Sequence, residues 1–241
     1  FISAETGESI MNILQNAYKN GKRTLSEYES KQVLAAYGIP VTREYLTANE
    51  PEMRDAAARI GYPIVLKGCD AELAHKSEKG VVRVDIRNDD EAKAAFAEIC
   101  EAMSASGAGS VLVQEYLGGG RELVAGMIRD PQFGPSVMFG LGGILTEILN
   151  DVAFRIAPIE RSDAMEMMDE IRGRRILDAV RGMKAVDRAA LADILVAIGR
   201  IGVENPEIDE IDINPLIICK GKPVTVDALI GLVTKEGAQK K

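Results

Sequence analysis

The alternation of apolar and polar positions in the first half of the chain predicts helices interleaved with short strands. Apolar residues at helical spacing indicate a helix, and short continuous apolar runs indicate buried strands. Capping residues and Gly or Pro set the boundaries. The predicted elements are a helix at 3–19, a helix that Thr24 or Ser26 caps and Gly38 and Pro40 end, a strand at 44–47, a helix at 49–61, the strands "YPIVLKG" and "GVVRVDI", a helix at 89–106 and the strand "SVLVQEYL".

The second half of the chain has a different pattern, in which strands and helices are grouped. The predicted elements are the strands "RELVAGMIRD" and "PSVMFG" around a turn at 130–134, the strand "AFRIAP", helices at 163–180 and 187–203, and the strands "EIDEIDINPLIIC" and "KPVTVDAL" joined by the turn "KGK". This grouping predicts an α+β fold. We place an N-terminal helix at 1–23, a docking helix with a small lobe at 24–110, and a large lobe at 111–241.

Composition narrows the class of protein. The 241 residues are 46% hydrophobic, which suffices for one large core or two smaller ones. The formal net charge of −8 argues against a general nucleic-acid or anionic-membrane partner, since both favour a basic face. No apolar run approaches the roughly 20 residues of a membrane-spanning helix. Three widely spaced cysteines and a single histidine predict reduced thiols, no histidine-rich metal site and a cytoplasmic location.

Two features in the chain could bind an anion. Lys67 ends the apolar strand "YPIVLKG", so its stem would be buried and its ammonium would lie at the strand end. The stretch "FGLGG" contains Gly140, Gly142 and Gly143, which would let the backbone approach a ligand closely. This stretch matches neither a dinucleotide motif nor a P-loop. Taken alone, Lys67 is more simply an ordinary strand-end lysine, and a tight turn explains the glycine stretch as well as a ligand loop does.

A third feature is suited to a hard cation. Glu210, Asp212 and Asn214 alternate in "EIDEIDINPL" and therefore share one face of a strand. The following strand contains Asp227, which a hairpin would bring opposite Asp212 and Asn214. Carboxylate and amide oxygens on adjacent strands favour Mg²⁺. The alternative is a solvated strand face.

Two further positions could bind polar ligand groups. Glu115 closes the strand "SVLVQEYL" and Glu122 opens the next one, so that their carboxylates could accept hydrogen bonds from an amino group and a ribose. His75, the only histidine, lies in the polar stretch "CDAELAHKSEKG". It is either a surface residue or a reactive imidazole on a loop.

Taken in this order, the motifs resemble one family. "YPIVLKG", "HKSEKGVV", "EIDINPL" and the long stretch from "VLVQEYLGGG" to "AFRIAP" are similar to the ATP-grasp (β) subunit of the NDP-forming acyl-CoA synthetases. That family includes ADP-forming acetyl-CoA synthetase and is related to the succinyl-CoA synthetase β subunit. The resemblance covers about residues 24–235. It implies an ATP-grasp fold with two α/β lobes that bind ATP or ADP between them.

The resemblance also implies roles for individual residues. Lys67 matches the lysine that binds the nucleotide phosphates, and His75 matches a phosphohistidine that carries phosphoryl to the nucleotide. The remaining implied contacts are Glu115, Tyr116 and Leu117 on the adenine side, Glu122 at the ribose, Gly140, Gly142 and Gly143 at the phosphates, and Asn214 and Asp227 at Mg²⁺ with Asp212 beside them.

The resemblance implies an acid–thiol ligase that converts acyl-CoA, ADP and phosphate reversibly into acid, CoA and ATP. It implies a CoA-binding α subunit or domain with its own phosphohistidine, without which the chain would be inactive. Two alternatives stay open: a regulatory nucleotide-binding module associated with an acetyltransferase, and a ligase that forms an acyl-phosphate directly and would not need His75. The acyl group, the choice between ADP and GDP, the subunit stoichiometry and fusion to another domain are also open.

Overall fold

The computed structural model describes residues 4–69, 81–104, 109–118, 120–143, 151–180 and 182–233. They form two compact units. The first unit comprises Phe1–Leu25, Glu29–Val41 and Gly119–Lys241, and the second comprises Ser26–Tyr28 and Thr42–Gly118. None of the described helices is long and apolar enough to cross a membrane.

The second unit is a four-stranded antiparallel sheet with two helices packed against it. Its strands have the order β1-β4-β2-β3. Its elements are β1 (Glu44–Thr47), α3 (Glu50–Ile60), β2 (Ile64–Cys69), β3 (Val82–Ile86), α4 (Asp89–Ser104) and β4 (Ser110–Glu115). Helix α3 begins where the sequence predicts, because the Asn49 side chain accepts a hydrogen bond from the Glu52 amide at 3.0 Å. Apolar side chains of both helices and three of the strands form its core.

The first unit is built on a six-stranded sheet. Its main order is β10-β8-β5-β6-β7, and β9 also pairs with β8. The remaining elements are α1 (Ala4–Lys19), α2 (Glu27–Ala36), β5 (Arg121–Asp130), β6 (Gly134–Leu141), β7 (Val152–Ile156), α5 (Arg161–Glu170), a 3₁₀ helix (Arg174–Leu177), α6 (Arg188–Glu204), β8 (Ile208–Cys219), β9 (Lys222–Thr225) and β10 (Ala228–Leu232). The first two residues of α2 belong to the second unit and the rest of the helix to the first. One face of the sheet and the helices enclose the core, which includes Val33 and Leu34 of α2.

The boundary predicted after residue 110 is wrong. Strand β4 pairs with β1 and β2 along its whole length, and Val111 and Val113 lie in the core of the second unit. The chain passes to the first unit only after Gly118. The apolar run "SVLVQEYL" gives no local sign of which sheet it joins, because burial on both faces is expected in either.

The helix predicted at 163–180 is also wrong in its second half. Helix α5 ends at Glu170, and Ile171 has an extended backbone with ψ of 137°. The amides of Arg172 and Gly173 donate to the carboxylate of Asp151 at 2.7 and 2.6 Å. A buried side-chain acceptor therefore takes the amides that would otherwise continue the helix.

Candidate functional site

Lys67 lies at the centre of the second unit. Strand β2 is flanked by β4 and β3, and Lys67 pairs with Leu112 and Val82. Its side chain is only 9% exposed, as its place in an apolar strand predicts. The Nζ atom lies 2.7 Å from Oε1 of Glu27, whose side chain is 16% exposed. The ammonium therefore has a partly buried counter-ion that the sequence pattern did not reveal.

Glu115 is bound to Arg43 within the same unit. Its Oε1 accepts from the Arg43 amide at 2.8 Å and its Oε2 from Arg43 Nε at 2.9 Å. The Glu115 amide donates in turn to the Arg43 carbonyl at 3.0 Å. Since both carboxylate oxygens already accept hydrogen bonds, the carboxylate fixes the end of β4 to the chain before β1. The next residues are the half-buried Leu117 and Tyr116, which is 37% exposed.

The glycines of "FGLGG" and Glu122 are brought together in the first unit. The Gly142 amide donates to the Glu122 carbonyl at 2.9 Å. A β-carbon at Gly142 would lie 2.7 Å from the Leu123 backbone, and one at Gly140 would lie 2.5 Å from the Asp151 carbonyl. Gly143 has a φ of +64°, and a β-carbon there would overlap the Glu122 carboxylate. Close packing against the backbone therefore requires Gly140 and Gly142, the positive φ favours glycine at Gly143, and the Glu122 side chain beside them is exposed.

The acidic group on β8 is partly buried. Asp212 pairs with Leu229 of β10, while Ile211 and Ile213 point to the core on the other face. Burial first, and then the carboxylates of Glu210 and Asp227, raise the pKa of Asp212 to about 6. The structure therefore brings Asp212 and Asp227 together, as the alternation and hairpin predict.

The strand predicted as "KPVTVDAL" is interrupted at Asp227. Strand β9 ends at Thr225 and β10 begins at Ala228. Strand β8 pairs with β10 as far as Ile213 and with β9 from Leu216 onward. The change of partner occurs at Pro215, which has no amide to donate. Asn214 and Asp227 consequently both lie at this break, outside the regular pairing.

These oxygen donors fit a magnesium ion. Across the described ranges, no three His, Cys, Asp or Glu side chains are grouped so that they could hold a metal. Mg²⁺ needs fewer protein ligands, because it is usually bound through one or two carboxylates while waters and substrate phosphates complete its octahedron. Burial, and then the negative charges of Glu210 and Asp227, disfavour the ionised form of Asp212, and a divalent cation at Asp227, Asn214 and Asp212 would offset that cost.

His75 lies outside the described residues. Sequence reasoning missed Glu27 and Arg43, the partners of two predicted ligand residues. Glu27 precedes Lys67 by 40 positions and Arg43 precedes Glu115 by 72. An acidic residue at a helix start is ordinarily explained by the helix dipole, so Glu27 carried no separate signal.

Comparisons with known proteins identify the family of the chain. The family described as the ATP-grasp domain matches residues 16–232. The β subunit of ADP-forming acetate–CoA ligase I from Pyrococcus furiosus is 46% identical over 87% of this chain and 92% of that subunit. The ADP-forming acetate–CoA ligase I of Archaeoglobus fulgidus is 40% identical over 91% of this chain, which corresponds to 32% of that longer protein.

A solved structure supports the same assignment. Acetyl-coenzyme A synthetase 1 from Candidatus Korarchaeum cryptofilum matches with a TM-score of 0.82 and 42% identity, over 93% of this chain and 100% of that one. That protein was solved with coenzyme A and Mg-AMPPCP, and with its phosphohistidine segment pointing towards the nucleotide-binding site. The family and fold predicted from the sequence are thus confirmed: the chain belongs to the ATP-grasp family and, within it, to the β subunits of the ADP-forming acetate–CoA ligases, which are acid–thiol ligases.

Proposed function

We propose that this chain binds the nucleotide and transfers the phosphoryl group in an ADP-forming acyl-CoA synthetase. The net reaction converts acyl-CoA, ADP and phosphate into acid, CoA and ATP. The observation that carries this proposal is the match to a complete ligase β subunit, of which the chain covers 92% at 46% identity.

Several residues are assigned to nucleotide binding. Lys67 would contact the phosphates through its ammonium, and Gly140, Gly142 and Gly143 would supply backbone amides. The adenine would lie against Glu115, Tyr116 and Leu117, and the ribose hydroxyls would donate to Glu122. The Glu115 carboxylate is hydrogen-bonded to Arg43, so its role in adenine binding would be to hold the backbone in place.

Mg²⁺ is assigned to Asn214, Asp227 and Asp212. The Korarchaeum relative was solved with Mg-AMPPCP, which supports a magnesium nucleotide for this chain as well. When bound, the ion would offset negative charge on the phosphate oxygens during transfer. The residues themselves supply the oxygen donors, and Asp212 adds a charge that is costly without a cation.

His75 is assigned as the phosphoryl carrier. It is the only imidazole in the chain, so a phosphohistidine in this chain can be no other residue. The lone pair of a neutral imidazole nitrogen attacks phosphorus, and the bond from phosphorus to the donor breaks. An oxygen of the ADP β-phosphate then attacks the same phosphorus, the P–N bond breaks, and the imidazole is restored.

The partner is assigned as a CoA-binding α subunit or domain with its own phosphohistidine. Both chains would act in the cytoplasm. The Pyrococcus furiosus relative supports the division of labour, since it is one subunit of a ligase. This chain alone would therefore bind nucleotide without making acyl-CoA. Full turnover by the purified chain would contradict the assignment.

The decisive experiment supplies the α partner, acyl-CoA and phosphate without ADP. His75 should then gain an acid-labile phosphate, and adding ADP with Mg²⁺ should discharge it to ATP. His75→Ala should bind nucleotide normally and leave the α histidine phosphorylated, while transfer between the two fails. A protein that binds ADP but never gains phosphate at His75 would instead be a regulatory module or a ligase with direct transfer.

A further inference from the structure

The segment Ser26–Tyr28 lies against one face of β2 in the second unit. Lys67 and Cys69 are two positions apart on that strand and so share a face. Glu27 pairs with the Lys67 ammonium at 2.7 Å. The Cys69 thiol is hydrogen-bonded to the Ser26 side chain and to the Tyr28 backbone. Its pKa is raised to about 11, chiefly by burial and also by the Glu27 charge. Three neighbouring contacts thus fix where the Glu27 carboxylate lies.

The Lys67–Glu27 pair is largely shielded from solvent, since the Lys67 side chain is 9% exposed and the partly buried Glu27 side chain is 16% exposed. A buried ammonium without a counter-ion is strongly disfavoured, whereas an exposed pair contributes little. Lysine also has a flexible stem with four rotatable bonds, which leaves its charge poorly directed unless an acceptor holds it. Glu27 both balances the charge and fixes one of the three ammonium N–H groups.

We propose that Glu27 is a positioning residue for Lys67 in nucleotide binding. The proposal rests on the assignment of Lys67 to the nucleotide phosphates. With the ammonium held against Glu27, the position of the Lys67 charge is defined before a phosphate oxygen arrives. Binding then loses less side-chain entropy than it would with a mobile lysine. Glu27 itself does not touch the nucleotide.

The test measures ADP binding to the 241-residue chain by calorimetry in the presence of Mg²⁺. Glu27→Ala should weaken binding about tenfold, the loss typical of one well-directed contact. Glu27→Gln should restore affinity to within about threefold of wild type, because its amide oxygen accepts the same hydrogen bond. Glu27→Asp keeps the charge on a shorter side chain, which would shift the Lys67 ammonium away from the nucleotide phosphates. It should weaken ADP binding about fivefold with little change in Tm.

A double-mutant cycle links the effect to Lys67. Glu27→Ala should weaken ADP binding in the wild type and have no further effect in a Lys67→Met background. That double variant leaves no buried unpaired charge, so it should fold even if Glu27→Ala does not. Glu98→Gln is the control, because it removes an exposed ion pair with Arg83 in the same unit. It should leave affinity and Tm unchanged.

Three outcomes would overturn the positioning role: a Tm loss in Glu27→Ala with unchanged ADP affinity, an equal loss of affinity in the Lys67→Met background, or wild-type affinity in Glu27→Asp. Failure of the underlying assignment looks different. In that case Lys67→Met itself binds ADP as tightly as wild type, whatever stands at position 27.

Discussion

The carboxylate of Glu122 occupies the space that a β-carbon on Gly143 would need. The two residues belong to different segments, β5 and the turn after β6, and the Gly142 amide holds those segments together by donating to the Glu122 carbonyl. The predicted ribose ligand and the predicted phosphate loop are therefore one packed structure. A substitution at Gly143 would therefore move the Glu122 carboxylate.

Gly143→Ala should weaken ADP binding about tenfold or more, because the new methyl group displaces the Glu122 carboxylate. Alanine at a φ of +64° also costs on the order of 1 kcal/mol of stability. Gly134→Ala is a matched control, since Gly134 has a φ of +80° with no atom within 4 Å of the added carbon. Both variants should lose similar stability in urea, and only Gly143→Ala should lose ADP affinity in calorimetry.

Equal ADP affinity in the two glycine variants would show that the Glu122 carboxylate does not bind the nucleotide. A much larger stability loss in Gly143→Ala would show that this glycine serves folding. In either case the loop would be a structural turn, which was the alternative that the sequence left open.

Arg43 and Glu115 should act as one unit in ADP binding. Glu115→Ala removes both hydrogen bonds of the carboxylate and should weaken binding about threefold to tenfold, whereas Arg43→Ala removes only the one from Nε and should weaken binding less. The double variant should lose no more than the larger single loss. Arg54→Ala is the control, since it removes an exposed pair with Glu50 in the same unit. A large loss in Glu115→Ala alone would instead mean that the carboxylate itself contacts the nucleotide.

The parts of the site that follow local rules were predictable. Side-chain alternation placed Asp212 on one face of β8 and Ile213 on the other, and a hairpin placed Asp227 close to Asp212. The stretch "FGLGG" allowed a tight turn, and Gly143 has the positive φ that favours glycine in such a turn. Each of these follows from strand periodicity or from the conformational freedom of glycine, which depend on neighbours in the sequence.

The contacts that the sequence did not reveal join distant segments. Glu27 reaches Lys67 across 40 positions, and Asp151 takes the Arg172 amide across 21 and ends α5. A buried polar side chain satisfies whichever groups the tertiary fold brings to it, and helix periodicity contains no information about that partner. The break at Asp227 in the strand predicted as "KPVTVDAL" was missed for a related reason. It lies where strand β8 changes its pairing partner from β10 to β9.

Arg121 should contribute to stability far more than an exposed arginine. Its guanidinium is buried and donates to the carbonyls of Ile176, Asp178 and Lys184, which ties the chain after α5 to β5. Arg121→Ala would leave three carbonyls without this donor and should cost about 3 kcal/mol or more of unfolding free energy.

Arg174→Ala is the control for Arg121→Ala. Arg174 is exposed and donates to the single carbonyl of Asp169 at 2.9 Å, so its loss should cost under about 1 kcal/mol in urea denaturation. Similar losses in the two variants would mean that the chain after α5 is held by its apolar contacts, such as Leu177, and not by the guanidinium.

Asp212→Asn should stabilise the chain in metal-free buffer while it impairs function. The Asp212 carboxylate is half-buried beside Glu210 and Asp227, and its raised pKa shows that its charge is disfavoured there. At pH 7 the neutral amide should therefore raise the unfolding free energy by about 1 kcal/mol, after allowance for partial solvent exposure. The same change removes a ligand charge, so the gain in Tm on adding Mg²⁺ and ADP should shrink.

Asp209→Asn is the control, at an exposed position on the same strand, and it should change neither the unfolding free energy nor the response to Mg²⁺ and ADP. A destabilised Asp212→Asn variant that responds fully to Mg²⁺ and ADP would mean that the carboxylate is a structural hydrogen-bond acceptor and that the metal site lies elsewhere.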